Sequence, residues 1–283
     1  MAFLKLSDDL KSHLGSCLKN FRSATDAFNF LQSDPSNFIP TIRKMLKNDL
    51  FVHVNNVAFT PNRIILEAIA RCLGEFRNPV ENTQVRLECD HDGCSLGYLP
   101  LHNDDAMLLD KQPKFGVLQV EEEDPLKLPK NGIVKIDEVV DYLQLYNPEL
   151  LDDLLNIKVP MLSGKYHKIA KNDKIIFIQE EGEIHLNLPI LYIENGIYLS
   201  RFHIGHINYF YYKKRVQQTE KEKRMIASFL QVANKFRKEF YLKQNDLLFF
   251  NNKRTLHDRT ECSIELNLNG RLQTRKFYIA FAL

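Results

Sequence analysis

The chain has 283 residues, 44% of them hydrophobic, enough to bury a large core as one large all-β domain or two smaller ones. Its 38 basic and 36 acidic residues nearly balance and no long basic block occurs, which argues against the concentrated positive face of a nucleic-acid binder. Five cysteines at uneven spacing (Cys17, Cys72, Cys89, Cys94, Cys262) speak for reduced thiols rather than a disulfide framework. With no signal-like apolar stretch near the start and no run long enough for a membrane span, the expectation is a soluble cytoplasmic protein without a membrane partner.

Residues 17–47 read as helical, with Phe21, Ala24, Phe28 and Leu31 at helical spacing. Phe51–Val54 reads as a short strand. Pro61 opens a helix whose buried stripe is Ile64, Ile65, Ala68, Ile69 and Leu73, and Gly74 ends it. From about residue 85 the texture changes to short apolar runs, and Phe115–Val120, Ile175–Gln179, Pro189–Ile193 and Ile197–Phe202 are strand candidates. Two helical inserts interrupt them. One covers about 137–157, with Val139, Val140 and Leu143 in its first half. The other covers about 219–242 and starts on Thr219 with Glu222 three residues on, a capping-box pattern. It carries Met225, Ile226, Phe229, Val232, Phe236 and Phe240 at helical spacing.

Leu247–Asn251 and Arg271–Phe281 follow as strands. Period-two alternation puts Arg271, Gln273, Arg275, Phe277, Ile279 and Phe281 on one face, polar at one end and apolar behind, as in a strand lining a deep pocket. The pattern predicts a mainly β protein with helices (α+β), a double-stranded β-helix (jelly-roll) core buttressed by helices. It reads as one domain, with a helical portion over 1–84 packing on a core over 85–283.

The residues with the most chemistry are His102-Asn103-Asp104 and His257. His102 and Asp104 lie two apart, so in extended chain they share a face. Asp105 adjoins Asp104, and the phase of the strand decides between them. His257 is too far downstream for a local metal loop, so the site requires tertiary assembly. Two imidazoles and one carboxylate on one face of iron(II) leave about three of six octahedral positions open. A closed structural zinc site would want a fourth protein ligand.

The stretch Asn245-Asp246-Leu247-Leu248-Phe249-Phe250-Asn251-Asn252-Lys253-Arg254-Thr255-Leu256-His257-Asp258-Arg259-Thr260 resembles the distal-histidine strand of the clavaminate synthase-like and taurine dioxygenase-like oxygenases. Pro100-Leu101-His102-Asn103-Asp104 resembles that superfamily's first metal motif, and Gly270-Arg271-Leu272-Gln273-Thr274-Arg275 its Arg-x-Leu-x-Arg strand. The spacing of His257 and Arg271 is similar to that of the amino-acid hydroxylases in this group. The three motifs occur in the family's order, and the resemblance covers about 50–283.

The resemblance implies a jelly-roll oxygenase that uses Fe(II), 2-oxoglutarate and O2. It implies His102, Asp104 and His257 as metal ligands. Arg271 would pair with the distal carboxylate of 2-oxoglutarate, Arg275 would hold a substrate carboxylate, and Arg201 would face the substrate. The implied reaction turns 2-oxoglutarate into succinate and carbon dioxide while a C–H bond of a small carboxylate-bearing substrate is hydroxylated; desaturation is the other outcome. Asp104 stands where halogenating relatives have a small residue.

Two departures stand out. Asp258 follows His257 where the family favours Gly. Asn131-Gly132-Ile133-Val134 replaces a Gly-Gly-x-Thr-like stretch, which removes a hydroxyl partner for the co-substrate and leaves Thr255 or Gln119 to substitute. Elsewhere, Cys89-Asp90-His91-Asp92-Gly93-Cys94 reads as a polar turn before the metal-bearing strand. His203 and His206 read as ordinary histidines, with a substrate role the sharper alternative. Competing functions are a non-catalytic binding or sensor protein with the same pocket, and an oxygenase acting on a macromolecule.

Overall fold

Strands of alternating character need two faces to bury, and here they assemble into two sheets laid against each other. The computed structural model describes residues 3–57, 59, 62–85, 92–162, 166–171, 174–179 and 185–283, apart from the side chains of 92, 110, 166–171 and 174–179. The larger sheet orders its strands Phe3–Leu4, Phe51–Val54, Leu247–Asn251, Phe115–Glu122, Lys276–Ala282 and Phe76–Gln84; the first pair is parallel and the rest are antiparallel. The smaller sheet is fully antiparallel and runs Lys238–Phe240, Asn131–Lys135, Thr255–Arg259 and Leu99–His102.

Three apolar clusters stack these sheets with helices outside. Between the sheets, Phe51, Leu118, Val120, Leu248, Phe250, Ile279 and Phe281 of the larger meet Ile133 and Phe240 of the smaller. The other face of the larger sheet, through Val52, Val54, Val117, Leu247 and Phe249, packs on the helices Asp8–Leu18, Ala24–Ser33, Phe38–Asp49 and Arg63–Leu73. The other face of the smaller sheet, through Leu101, Val134 and Leu256, packs on the helices Ile136–Tyr146, Pro148–Asn156, Ile204–Lys214 and Glu220–Lys235. The alternation Phe249 and Phe250 shows the principle: adjacent side chains serve different clusters because successive Cβ atoms point to opposite faces.

Several expectations need correction. The helical stretch at 17–47 is two helices, preceded by a third, Asp8–Leu18. Pro35 forces the break, since the residue before a proline leaves the α region, and Asp34 is extended (φ −63°, ψ 122°). The insert at 137–157 is likewise two helices split at Asn147-Pro148, with Pro148 in the first turn and the Asn147 side chain accepting from Leu150 N. The capping box at Thr219 and Glu222 is present, but that helix ends at Lys235. Phe240 belongs instead to a strand paired with Asn131, so sheet pairing overrides its helical spacing. The helix Ile204–Lys214 has no counterpart in the sequence reading; of its residues only Ile207 is buried, so no stripe announces it.

Arg271–Phe281 is not one strand. Leu272–Thr274 forms a hairpin with Ile264–Leu266, and Lys276–Ala282 is a separate strand of the larger sheet, with a register shift between Lys276 and Phe277 against Phe115–Glu122. The 1–84 portion is not purely helical, because it supplies three strands of the larger sheet. Pro61 and the Cys89–His91 part of the polar turn lie outside the described residues; the helix after Pro61 is capped by the Asn62 side chain. Among the described residues no helix is long and apolar enough to cross a membrane, and Cys17, Cys72 and Cys262 are in no disulfide.

One close approach links this packing to the site. Gly116 is the register partner of Phe250, and a Cβ on Gly116 would overlap the Phe250 ring. That ring packs on the other side against the His257 imidazole, with centroids 4.8 Å apart. Gly116→Ala is expected to destabilise the fold by about 1–3 kcal/mol through overpacking, measured by chemical denaturation.

Candidate active site

His102 ends the strand Leu99–His102, and His257 is the middle residue of Thr255–Arg259. The two are direct cross-strand partners, so both imidazoles project from the same face into the space between the sheets, with ring centroids 4.2 Å apart. Just past the strand end the chain turns at Asp105, which sits in the left-handed region (φ 50°). The turn separates the two adjacent carboxylates: Asp105 pairs with Arg77, and Asp104 faces the histidines. Asp104 Oδ1 lies 3.6 Å from His102 Nε2 and Oδ2 lies 3.2 Å from His257 Nε2.

One ligand-type atom from each of His102, Asp104 and His257 falls within 4.8 Å of the others, and this is the one such group among the described residues. Metal–ligand bonds of about 2.0–2.2 Å at right angles place neighbouring ligand atoms about 3 Å apart, so the carboxylate–imidazole separations are those of side chains ready to share an ion. Asp104 Oδ2 is buried, and its one close polar neighbour among the described residues is the His257 ring nitrogen, so the carboxylate is free of any partner outside the group. The Pro100 carbonyl accepts from His102 Nδ1 at 2.8 Å, which leaves the Nε2 lone pair aimed at the cluster.

Protonation suits the same task. Burial alone would push the Asp104 carboxyl up, but the imidazoles of His257 and His102 outweigh it and hold it well below the ordinary carboxylate value. Burial pushes the His257 imidazole down, against the pull of Asp104. At neutral pH the group therefore offers an anion and a neutral ring, the forms that bind metal.

The residue between the first two ligands has its own work. Asn103 is fully buried; its Nδ2 donates to the carbonyls of Asn252 and Thr255, and its Oδ1 accepts from Phe202 N. Asn252, also fully buried, accepts from Asp104 N at 2.8 Å and donates to the Asp104 and Pro113 carbonyls. These two amides tie the Asp104 turn to the loop that leads into the His257 strand.

A single cavity takes in the three clustered side chains together with Arg275, Arg259, His203 and His206, walled by Leu99, Leu118, Phe277, Ile279 and Phe281. Arg275 is 4% exposed; its Nη2 donates to Asn131 Oδ1 at 2.9 Å and its guanidinium lies over the Phe277 ring. Among the described residues it has no salt-bridge partner, and burial, only partly offset by Cys262, pushes its pKa down to about 10. It remains a buried cation that calls for an anion. Arg259, two residues beyond His257, is held by the carbonyls of Thr260 and Ser95 and by Cys262 Sγ.

On the other side of His102, His203 forms an isolated bridge with it, so the rings of His203, His102 and His257 make one row across neighbouring strands. His206 comes next, its ring tilted against His203 with centroids 4.1 Å apart, and burial pushes its pKa down to about 4.

Other expected site residues lie elsewhere. Arg271 is exposed at the tip of the Ile264–Thr274 hairpin, outside the cavity, because the break before Lys276 ends the continuous strand that would have aimed it inward. Thr255 is buried and donates its hydroxyl to the Asn251 carbonyl. Gln119 is the neighbour of a cavity residue, Leu118, and faces away to donate to the Phe59 carbonyl. Arg201 stacks on Tyr192 at 4.7 Å, also outside the cavity. The sequence reading assigned no role to Arg259 or Asn131. Arg259 was within reach of the period-two rule, since it shares a strand with His257; Asn131 becomes visible only through its register partner, Arg259.

Replacing Asn252 by Ala leaves the Asp104 amide without its acceptor. The variant is expected to lose about 1–3 kcal/mol in a denaturant titration and to bind divalent metal more weakly. Metal affinity itself should hold at pH above the ordinary imidazole value of about 6.5 and fall below it, because burial moves the His257 value down rather than up. A cobalt titration across pH reads this directly; a steep loss already between pH 7.5 and 6.5 would contradict it.

No protein-family model matches the sequence, and no curated protein sequence does. Solved structures do match. Asparagine oxygenase in complex with Fe(II), 2S,3S-3-hydroxyasparagine and succinate aligns with a TM-score of 0.72 at 14% identity, over 100% of this chain and 94% of that one. The non-heme iron oxygenase OrfP with Fe, succinate and (3R,4R)-dihydroxy-L-Arg aligns with a TM-score of 0.72 at 15% identity, over 100% and 94%. OrfP with Fe and alpha-ketoglutaric acid gives 0.70 at 16% identity, over 100% and 93%. Along its whole length, then, this chain has the fold of these non-heme iron oxygenases.

Proposed function

We propose that the protein is an Fe(II)- and 2-oxoglutarate-dependent dioxygenase that hydroxylates an unactivated C–H bond of a free amino acid or a related small carboxylate. The two-sheet sandwich is read as the double-stranded β-helix of that superfamily. The observation that carries the proposal is the meeting, in one cavity, of the His102–Asp104–His257 group with the buried guanidinium of Arg275, which has no salt-bridge partner among the described residues. A metal held by three protein ligands keeps open positions for a chelating 2-oxo acid and dioxygen. When bound, iron with its 2-oxo acid supplies the oxidative decarboxylation, to succinate and carbon dioxide, that makes the hydroxylation feasible.

The chain's own residues position the reactants and keep water out. Arg275 rather than Arg271 takes the distal carboxylate of 2-oxoglutarate. Its anchor Asn131 is two residues along the strand from Ile133, the partner of His257, a shift of about 7 Å that suits a short diacid lying along the sheet. Phe277, Ile279, Phe281 and Leu118 make the wall that excludes water. His203 and His206 lie across His102 from the guanidinium, and this end receives the substrate. Asp104 fills the acid ligand position, which favours hydroxylation over halogenation. The burial of Arg275 and Arg259, each 4% exposed, favours a small molecule over a macromolecule. The amino-acid reading draws on the neighbours, which were solved with hydroxyasparagine and with arginine derivatives. Free thiols and balanced charge fit a cytoplasmic enzyme.

The test is succinate release from 2-oxoglutarate with Fe(II) under air, screened across free amino acids, with the product identified by mass. Amino-acid-stimulated turnover is expected, and His257→Ala should abolish it; turnover that survives that change sinks the proposal. Arg275→Leu should raise the KM for 2-oxoglutarate about 10- to 100-fold, the worth of one buried charge-assisted pair. Arg271→Ala should leave it within about twofold, as expected of an exposed side chain free of a buried contact. The opposite ranking would return the co-substrate to Arg271.

A further inference from the structure

Asp258, the residue after the distal histidine where the sequence departs from the oxygenase pattern, faces Gly132 in the neighbouring strand. Asp258 and Gly132 are register partners, as His257 and Ile133 are one step away. The Asp258 carboxylate is buried and grips Arg237 with two bonds: Arg237 Nε donates to Oδ2 at 2.6 Å and Nη2 donates to Oδ1 at 2.9 Å. Tyr98 OH donates to the same carboxylate at 3.1 Å. Arg237 comes from just beyond the helix Glu220–Lys235, which covers the outer face of the smaller sheet, and its Nη1 donates to Glu239.

The guanidinium reaches Asp258 only because residue 132 has no side chain. A Cβ at Gly132 would collide with both the Arg237 guanidinium and the Asp258 carboxylate. Asp258, Arg237 and Gly132 are therefore one device: an aspartate that needs an arginine, and an arginine that needs a glycine.

We infer that the Gly132–Arg237–Asp258 clamp positions the distal metal ligand by tying the strand that carries His257 to the end of the covering helix. The inference rests on the metal-centre reading under Proposed function. A bidentate guanidinium–carboxylate pair fixes orientation as well as distance. Asp258 adjoins His257 in a strand whose alternate residues point to opposite faces, so anchoring one side chain outward sets the twist that aims the other inward. The clamp adds no group to the reaction. It sets where His257 Nε2 stands relative to Asp104 and His102, and supporting contacts of this kind are worth about 10- to 100-fold in metal affinity.

The test uses the full-length protein with Co(II) as probe, whose visible spectrum reports ligand geometry. Asp258→Asn and Arg237→Ala should each weaken Co(II) binding about 10-fold or more and shift the spectrum, while thermal unfolding stays cooperative. Gly132→Ala should do the same in the parent chain. Added to Arg237→Ala, it should cost less than in the parent chain, because the guanidinium is gone and the released Asp258 carboxylate can turn from the added methyl; this non-additivity separates positioning from general loss of stability. Should Arg237→Ala fail to fold, the near-isosteric Asp258→Asn carries the comparison. Unchanged Co(II) affinity and spectrum in variants that only melt earlier would overturn the clamp and leave the metal centre standing. A parent protein that binds no Co(II) would overturn the metal-centre reading and the clamp with it.

Discussion

The cross-strand pairing of His102 with His257 is the constraint on which the site depends. Neither strand can slip by one residue without sending its imidazole to the opposite face, among the helices rather than into the cavity. Register is strongly held because Leu101 and Leu256, the residues just before the two histidines, are buried in the outer cluster. The metal-type group is thus a by-product of packing: what buries the leucines outward presents the imidazoles inward.

Electrostatics complete what register begins. The cavity gathers the buried Asp104 carboxylate and the imidazoles of His102 and His257, and a buried guanidinium with no counter-ion among the described residues. Each is costly in a low-dielectric interior, and a folded chain tolerates such costs where a ligand offsets them. Their placement is ordered. Arg275 stands at the Asn131 end, the three clustered residues stand in the middle, and His203 with His206 stands beyond His102. A chelating diacid and a second small molecule can then approach one centre from different sides.

The surrounding layers make this arrangement rigid. The buried amides of Asn103 and Asn252 fasten the Asp104 turn to the approach of the His257 strand, and Phe250 is wedged between Gly116 and the His257 ring. Helices cover both outer faces, so both strands that carry ligands are held from behind as well as from the side. Ligand groups on sheet strands backed by packed helices are placed more exactly than groups on free loops.

Much was legible in the chain alone. Strand and helix periods located many of the core elements, the Thr219–Glu222 box marked its helix start to the residue, and the His-x-Asp and distal His named the side chains that converge. These signals are local, or carried by residue types whose chemistry is narrow, so one dimension suffices to show them. What the chain could not show was set by contacts between distant segments. Whether Asp104 or Asp105 turned inward depended on a left-handed residue and on Arg77. Which arginine entered the cavity depended on the strand break before Lys276, which a pure period-two reading carries straight through. That Asp258 and Gly132 belong together appeared only when two strands far apart in sequence lay side by side, because register between strands is decided by what each of their faces must bury.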